Sequence, residues 1–171
     1  MKHKTGFCLF PAHEWYMSQA LREAEKARKI GESPIGAVVV KDGMIIARAH
    51  NEKELKNDST LHAEMTAIKK ASKKLDSWRL TDCDLYVTLE PCTMCAGAII
   101  QSRLRNLYIG TSDLKAGAAG SVIDVFRVAA FNHKVEVSWG ILEEQCSGIL
   151  KEFFRELREH KDAGKQVSNK A

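Results

Sequence analysis

Apolar residues recur along this chain with two periods, and the places where one gives way to the other mark its elements. Met17, Leu21, Ala24 and Ala27 recur near helical spacing and predict a helix over Trp15–Lys29, which Gly31 and Pro34 end. "GAVVV" and "MIIARAH" flank Asp42-Gly43, a residue pair suited to a two-residue hairpin. The polar "NEKELKNDST" leads into a second helix, His62–Leu75, with Met65, Ile68, Ala71 and Leu75 on one face. "DLYVTLE" predicts a strand, Cys92 opens another helix, and "NLYIG" predicts a further strand. "TSDLKAGAAGS" reads as a surface loop, and "KVEVSW" alternates as a last strand. Leu142, Cys146, Ile149, Leu150, Phe153 and Leu157 then draw the buried stripe of a long amphipathic helix.

Strands alternating with helices indicate an α/β domain with helices on both faces of a sheet. No repeat or low-complexity linker divides the chain, so a single domain over 1–171 is expected. Its core would cover about 14–159, with 160–171 a polar, frayed tail.

Composition changes this picture little. The 171 residues are 44% hydrophobic and 28% charged, as in ordinary globular proteins. A net charge of +4 favours anionic partners without requiring one. No stretch approaches the roughly 20 apolar residues of a bilayer span, and the start lacks a secretory leader, so no membrane partner is expected. The five cysteines are an odd number. A reducing, cytoplasmic setting is the expectation, and there a close cysteine pair serves a metal or catalysis more often than a disulfide. Cys8, Cys83 and Cys146 have no such context and read as packing residues.

"TLEPCTMCAGAII" holds the close pair, Cys92 and Cys95, directly behind Pro91. Such thiols suit a redox couple, a structural zinc or a catalytic zinc. Upstream, "LHAEMTAI" supplies His62 and Glu64 at a helix start. His62, Cys92 and Cys95 make three zinc ligands, and a catalytic zinc keeps its fourth position open for water. Cys92 and Cys95 are expected on one side of a first helical turn, whose positive end favours thiolates. On a regular helix His62 and Glu64 would diverge by about 200°, but at a helix entrance both can point into one cleft. Zinc with two thiolates and a neutral imidazole is formally uncharged and still lowers the pKa of a water. Glu64 can take that proton and return it to a ring nitrogen and a leaving amine. A structural zinc needs no such carboxylate.

At these residues the chain resembles the zinc-dependent nucleoside and nucleobase deaminases, whose signature is H-x-E…P-C-x-x-C; the mechanism above is that family's own. The likeness to their bacterial tRNA adenosine branch runs from about Trp15 to Arg158. It takes in "SPIGAVVV", Asn51, "HAEMTAI", "TLEPCTMCAGAII", "SRL", "GAAGS", "NHKVEV" and "LKEFFREL". The zinc motif alone identifies the superfamily; "GAAGS", "NHKVEV" and the "FF" helix point to the tRNA branch. The resemblance implies a cytidine deaminase-like three-layer α-β-α sandwich with a mixed five-stranded sheet. It implies one Zn2+ per subunit and hydrolysis of adenosine to inosine at the wobble position of a tRNA anticodon, in bacteria mainly an arginine tRNA. It also implies a homodimer whose partner helps shape the RNA site. By carry-over His62, Cys92 and Cys95 hold the zinc, Glu64 shuttles protons, and Asn51 hydrogen-bonds the flipped adenine. The family often has proline and alanine where this chain has Ser59 and Leu61, a departure at the pocket entrance that touches no ligand.

The last helix sets Phe154 at the edge of its apolar stripe, beside Lys151, Arg155 and Arg158, with Glu152, Glu156 and Glu159 on the other side. An aromatic beside a basic strip suits unstacked bases and phosphates, although a core-edge phenylalanine next to a solvated face fits the pattern too. Asp113 and Lys115 precede "GAAGS", where the family meets nucleotides flanking the target, or else belong to an ordinary exposed loop. Asn51 is equally at home in a turn. His50 and His133 are left outside the site. Two rival functions stand beside this one: deamination of a free base such as guanine, which shares the zinc motif, and, of another class, a zinc-stabilised RNA-binding module without catalysis.

Overall fold

The computed structural model describes residues 10–168, with side chains described for 12–160. Cys8 lies outside them. The order is α1 (Phe10–Lys29), β1 (Gly36–Lys41), β2 (Met44–His50), α2 (Lys53–Lys56), α3 (Ala63–Leu75), β3 (Cys83–Leu89), α4 (Thr93–Gln101), β4 (Asn106–Thr111), β5 (Glu136–Ser138) and α5 (Glu143–Ser168). The strands form one five-stranded sheet in the order β2-β1-β3-β4-β5. β1 runs antiparallel to β2 and β3, while β3, β4 and β5 are parallel. This is the mixed sheet expected of a cytidine deaminase-like sandwich.

The β1 run is apolar throughout because both of its faces are covered. Ala37 and Val39 pack with Ala63, Ala67, Ala71, Ala96 and Ile99 of α3 and α4. Val38 and Val40 pack with Met17 and Ala20 of α1 and Cys146 of α5. Helices therefore cover both sides of the sheet. The hairpin between β1 and β2 turns at Asp42 and Gly43, with φ of 49° and 76°. Two successive positive φ values are what a type I′ turn needs.

Several expectations are corrected. α1 begins at Phe10 rather than Trp15, with Pro11 in its first turn, where a missing N–H costs nothing. The polar segment after β2 contains the short helix α2, and the last strand shrinks to three residues. "TSDLKAGAAGS" is not a surface loop throughout, because Gly117, Ala118 and Ala119 are buried. The stripe on α5 is buried at Cys146 and Ile149 but ends beyond Phe153, leaving Leu157 41% exposed. An amphipathic pattern marks a face; it does not fix where the neighbouring layer stops. The α5 backbone is helical through Ser168, into the stretch expected as a tail.

Candidate metal centre

Two helix N-termini meet where β3 ends. His62 is the N-cap of α3 (φ −72°, ψ 154°), and Cys92 is the N-cap of α4 (φ −73°, ψ 175°). Their carbonyls accept the first helical bonds, from Thr66 N–H (3.0 Å) and Ala96 N–H (2.8 Å). Extended backbone at both positions turns the side chains toward each other. His62 Nδ1 lies 3.7 Å from Cys92 Sγ and 3.5 Å from Cys95 Sγ. The three donor atoms lie within 4.8 Å of one another, the one such cluster among the described residues. Cys92 thus stands one residue before the helix it was expected to open, and the pair converges because the cap bends inward.

Two sulfurs and an imidazole nitrogen at this spacing fit one zinc ion per chain, with a ligand position left over. The electrostatics agree. Hydrogen bonding from Cys95 and His62 pulls Cys92 down to about 3, which favours the thiolate that zinc binds. The hydrogen bond with Cys92, burial and the nearby charges of Glu64 and Cys92 push the Cys95 thiol up, a shift that a bound cation opposes. His62 is raised by its hydrogen bond with Cys92.

Glu64, one residue inside α3, is 4% exposed and lies beside this cluster. Burial pushes its carboxyl up to about 7, against the lowering effects of its own backbone N–H and of His62. A carboxyl poised there exchanges protons readily near neutrality.

Asn51, just after β2, is buried, and its Nδ2 donates to Glu32 Oε2 at 2.9 Å. Glu32 Oε1 accepts from Leu55 N–H at 2.6 Å. The fully buried side chain of Glu32 thereby fixes the amide of Asn51 by one of its N–H groups.

Residues 12–158 match the MafB19-like deaminase family. The chain belongs to that family. This deaminase is 50% identical over 153 residues to a tRNA-specific adenosine deaminase of Bacillus subtilis, covering 90% of this chain and 95% of the relative. A solved structure from work on A-to-I editing by tRNA:A34 deaminases at the wobble position of transfer RNA is 46% identical. It superposes with a TM-score of 0.77, covering 80% of this chain and 99% of that one. A guanine deaminase structure from Bacillus subtilis is 36% identical with a TM-score of 0.58, over 86% of this chain and 94% of that one.

Around the deaminase's metal centre the remaining candidates fall on one side. Lys115, Leu150, Lys151, Phe154 and Arg158 line a cavity of about 360 Å³. A neighbouring one of about 420 Å³ shares Lys115, Leu150 and Phe154 and adds Ser33, Ile35, Leu89 and Asp113. Leu89 precedes Cys92 by three residues, and Ile35 O holds the backbone N–H of Asn51 at 3.1 Å. Phe154 is 42% exposed and meets Phe153 edge to face at 5.3 Å. Asp113 spends Oδ1 on its own turn, accepting from Lys115 N–H (2.9 Å) and Ala116 N–H (3.2 Å).

Two acidic residues escaped the sequence reading. Glu90, between β3 and Pro91, accepts from the backbone N–H groups of Asp113 (2.9 Å), Ala119 (2.9 Å) and Ser121 (3.1 Å). It clamps the 113–121 loop beside the metal ligands, and a Cβ at Gly117 would fall on its carboxylate. A charge wedged between an apolar strand and Pro-Cys was the available signal for Glu90. Glu32, in "GESP", carried none. His50 bonds Glu23 at 3.1 Å and His133 bonds Leu104 O at 2.7 Å, so both are engaged away from the metal. Cys83 and Cys146 are buried in the two apolar clusters.

Proposed function

We propose that this chain hydrolyses adenosine to inosine within tRNA, at the wobble position of the anticodon, an arginine tRNA being the expected substrate. The carrying observation is the convergence of His62, Cys92 and Cys95 beside the buried carboxyl of Glu64, in a chain half identical to a tRNA-specific adenosine deaminase. When bound, zinc acts as a Lewis acid that makes water acidic enough to be a nucleophile at neutral pH. Glu64 accepts a proton from the attacking water and delivers it to N1 of adenine. It then takes the proton of the hydroxyl added at C6 and passes it to the amine there; the C6–N bond breaks, the C6 oxygen becomes the carbonyl of inosine, and the amine leaves as ammonia. Adenosine and water become inosine and ammonia, and Glu64 ends as it began. Asn51, oriented by Glu32, positions the base with its carbonyl oxygen. Extruding the base is affordable in a single-stranded loop, and the groove of Lys115, Phe154 and Arg158 suits the bases and phosphates beside it.

The setting is cytoplasmic on this reading, and the working form a homodimer. Supporting an interface, Val122, Ile123, Val128, Phe131 and Trp139 are exposed apolar residues close in sequence. Sedimentation of the zinc-loaded chain tests the dimer, and a monomer at micromolar concentration would refute it.

Offering the purified protein an anticodon stem-loop, guanine, cytosine and free adenosine tests the substrate. Inosine in the stem-loop, found by mass spectrometry of nucleosides, is the expected product. Turnover of guanine with an untouched stem-loop transfers the assignment to the free-base deaminases.

A further inference from the structure

We propose that the outer face of α3, from Lys69 to Arg79, is a second RNA-binding surface, gripping the phosphate backbone of the RNA whose adenosine enters the metal centre. It rests on the reading of the substrate as tRNA given above.

Charge is the first observation. The eleven residues "KKASKKLDSWR" hold five basic side chains and one acid, a net +4 that equals the net charge of the whole chain. The other 160 residues carry 21 of each sign. The excess positive charge of the molecule is therefore matched by this one segment.

All five basic residues are exposed, and among the described residues none makes an ion pair within 4.0 Å. Lys70 Nζ donates to Arg48 O at 2.9 Å. Lys69 lines one cavity with Asp58, whose carboxylate accepts from Thr60. Lys73 and Lys74 suit the negative end of the helix. That does not account for Lys69 and Lys70, which stand a turn earlier, or for Arg79, which lies beyond the C-cap at Asp76. At about 100° per residue, Lys69 and Lys73 stand opposite the buried Ala67 and Ala71, with Lys70 on the flank and Lys74 exposed at the helix end, near the azimuth of Ala67.

Position is the second observation. α3 starts at the metal centre, with His62 as its cap and Glu64 in its first turn. At about 1.5 Å per residue, Lys69 to Lys74 lie about 8–15 Å from Glu64 along the axis. A hairpin stem lying along α3, with its loop at Glu64, would bring its phosphates within reach of these side chains. At the far end Arg79 stacks over the exposed ring of Trp78, 4.1 Å from its centroid. A guanidinium so held keeps its donors outward at little entropic cost. Contacts of this kind read no sequence; they add affinity that salt removes.

The test is K69E/K73E in the full zinc-loaded chain, with K69R/K73R as the conservative control, assayed on full-length tRNA across a salt series. For K69E/K73E, KM is expected to rise tenfold or more with kcat within twofold of wild type. The salt slope of log KM should shrink by about two, one for each phosphate no longer neutralised, with K69R/K73R behaving as wild type. Normal turnover with KM and slope unmoved overturns this surface alone. So does binding to phosphatidylserine vesicles that K69E/K73E abolishes while its tRNA kinetics stay normal, which would make the face a membrane contact. Absence of inosine with wild-type protein defeats the reading of the metal centre, and this surface with it.

Discussion

Glu64 sits where the proposed proton traffic needs a carboxyl, beside the His62 imidazole and the Cys92 and Cys95 sulfurs, and burial lifts its pKa. Glu64→Gln keeps the shape and loses the proton traffic. Inosine formation should fall by about 10²–10⁴-fold with one zinc per chain retained. Comparable turnover in that variant would remove Glu64 from the mechanism and leave the zinc-stabilised binding module as the better account. Glu32 acts one step further out, through Asn51 and the Leu55 N–H. Glu32→Ala strands the buried Asn51 donor and the part-buried Leu55 N–H and should cost about 2 kcal/mol, seen as a lower denaturant midpoint. It should also lower kcat/KM by misplacing the Asn51 amide. Full activity would mean that Asn51 needs no such partner.

The elements matter for what they bring together. Two helices start at the end of β3, and each contributes a ligand from its cap, where the backbone is still extended. A loop that reads as exposed is instead drawn in by Glu90, and its glycine leaves room for that carboxylate. Gly117→Ala should destabilise the chain by about 2 kcal/mol and weaken RNA binding through displacement of Lys115. An unchanged midpoint would show the loop to be loosely held. On α5 the apolar stripe loses its cover after Phe153, so Phe154 and Arg158 face the groove from a stretch tied to α1 by the ion pairs of Arg28 with Glu152 (3.3 Å) and Glu156 (2.6 Å). Phe154→Ala with Arg158→Ala should lower RNA affinity about tenfold without loss of zinc. Equal affinity across a salt series would return that face to ordinary solvated surface.

At the scale of the whole molecule the sheet is the frame, and the metal is its latch. Three donors from two helices meet at one point, so removing the ion frees a thiolate, a thiol and an imidazole to separate. A chelator should abolish activity and lower the melting temperature, and added zinc should restore both. Acid should do the same, because protons compete for the ligands. Persistent activity after complete zinc removal, checked by metal analysis, would overturn the assignment.

The sequence by itself determined the elements, because burial on one or two faces imposes a period that side chains must obey. "GAVVV" and Ala71 of α3 announce their place in this way, and Asp42-Gly43 marks its turn by residue type, whereas Ala63 and Ala67 emerged as buried only in the structure. It also determined the chemistry on offer, since few residue types hold zinc or move protons. Tertiary structure alone decided the rest. Whether Glu90 clamps a loop, whether Glu32 reaches Asn51, and how far α5 stays packed all depend on groups distant in the chain arriving at one place. A hydrogen bond across 19 or 23 residues leaves no local period to read.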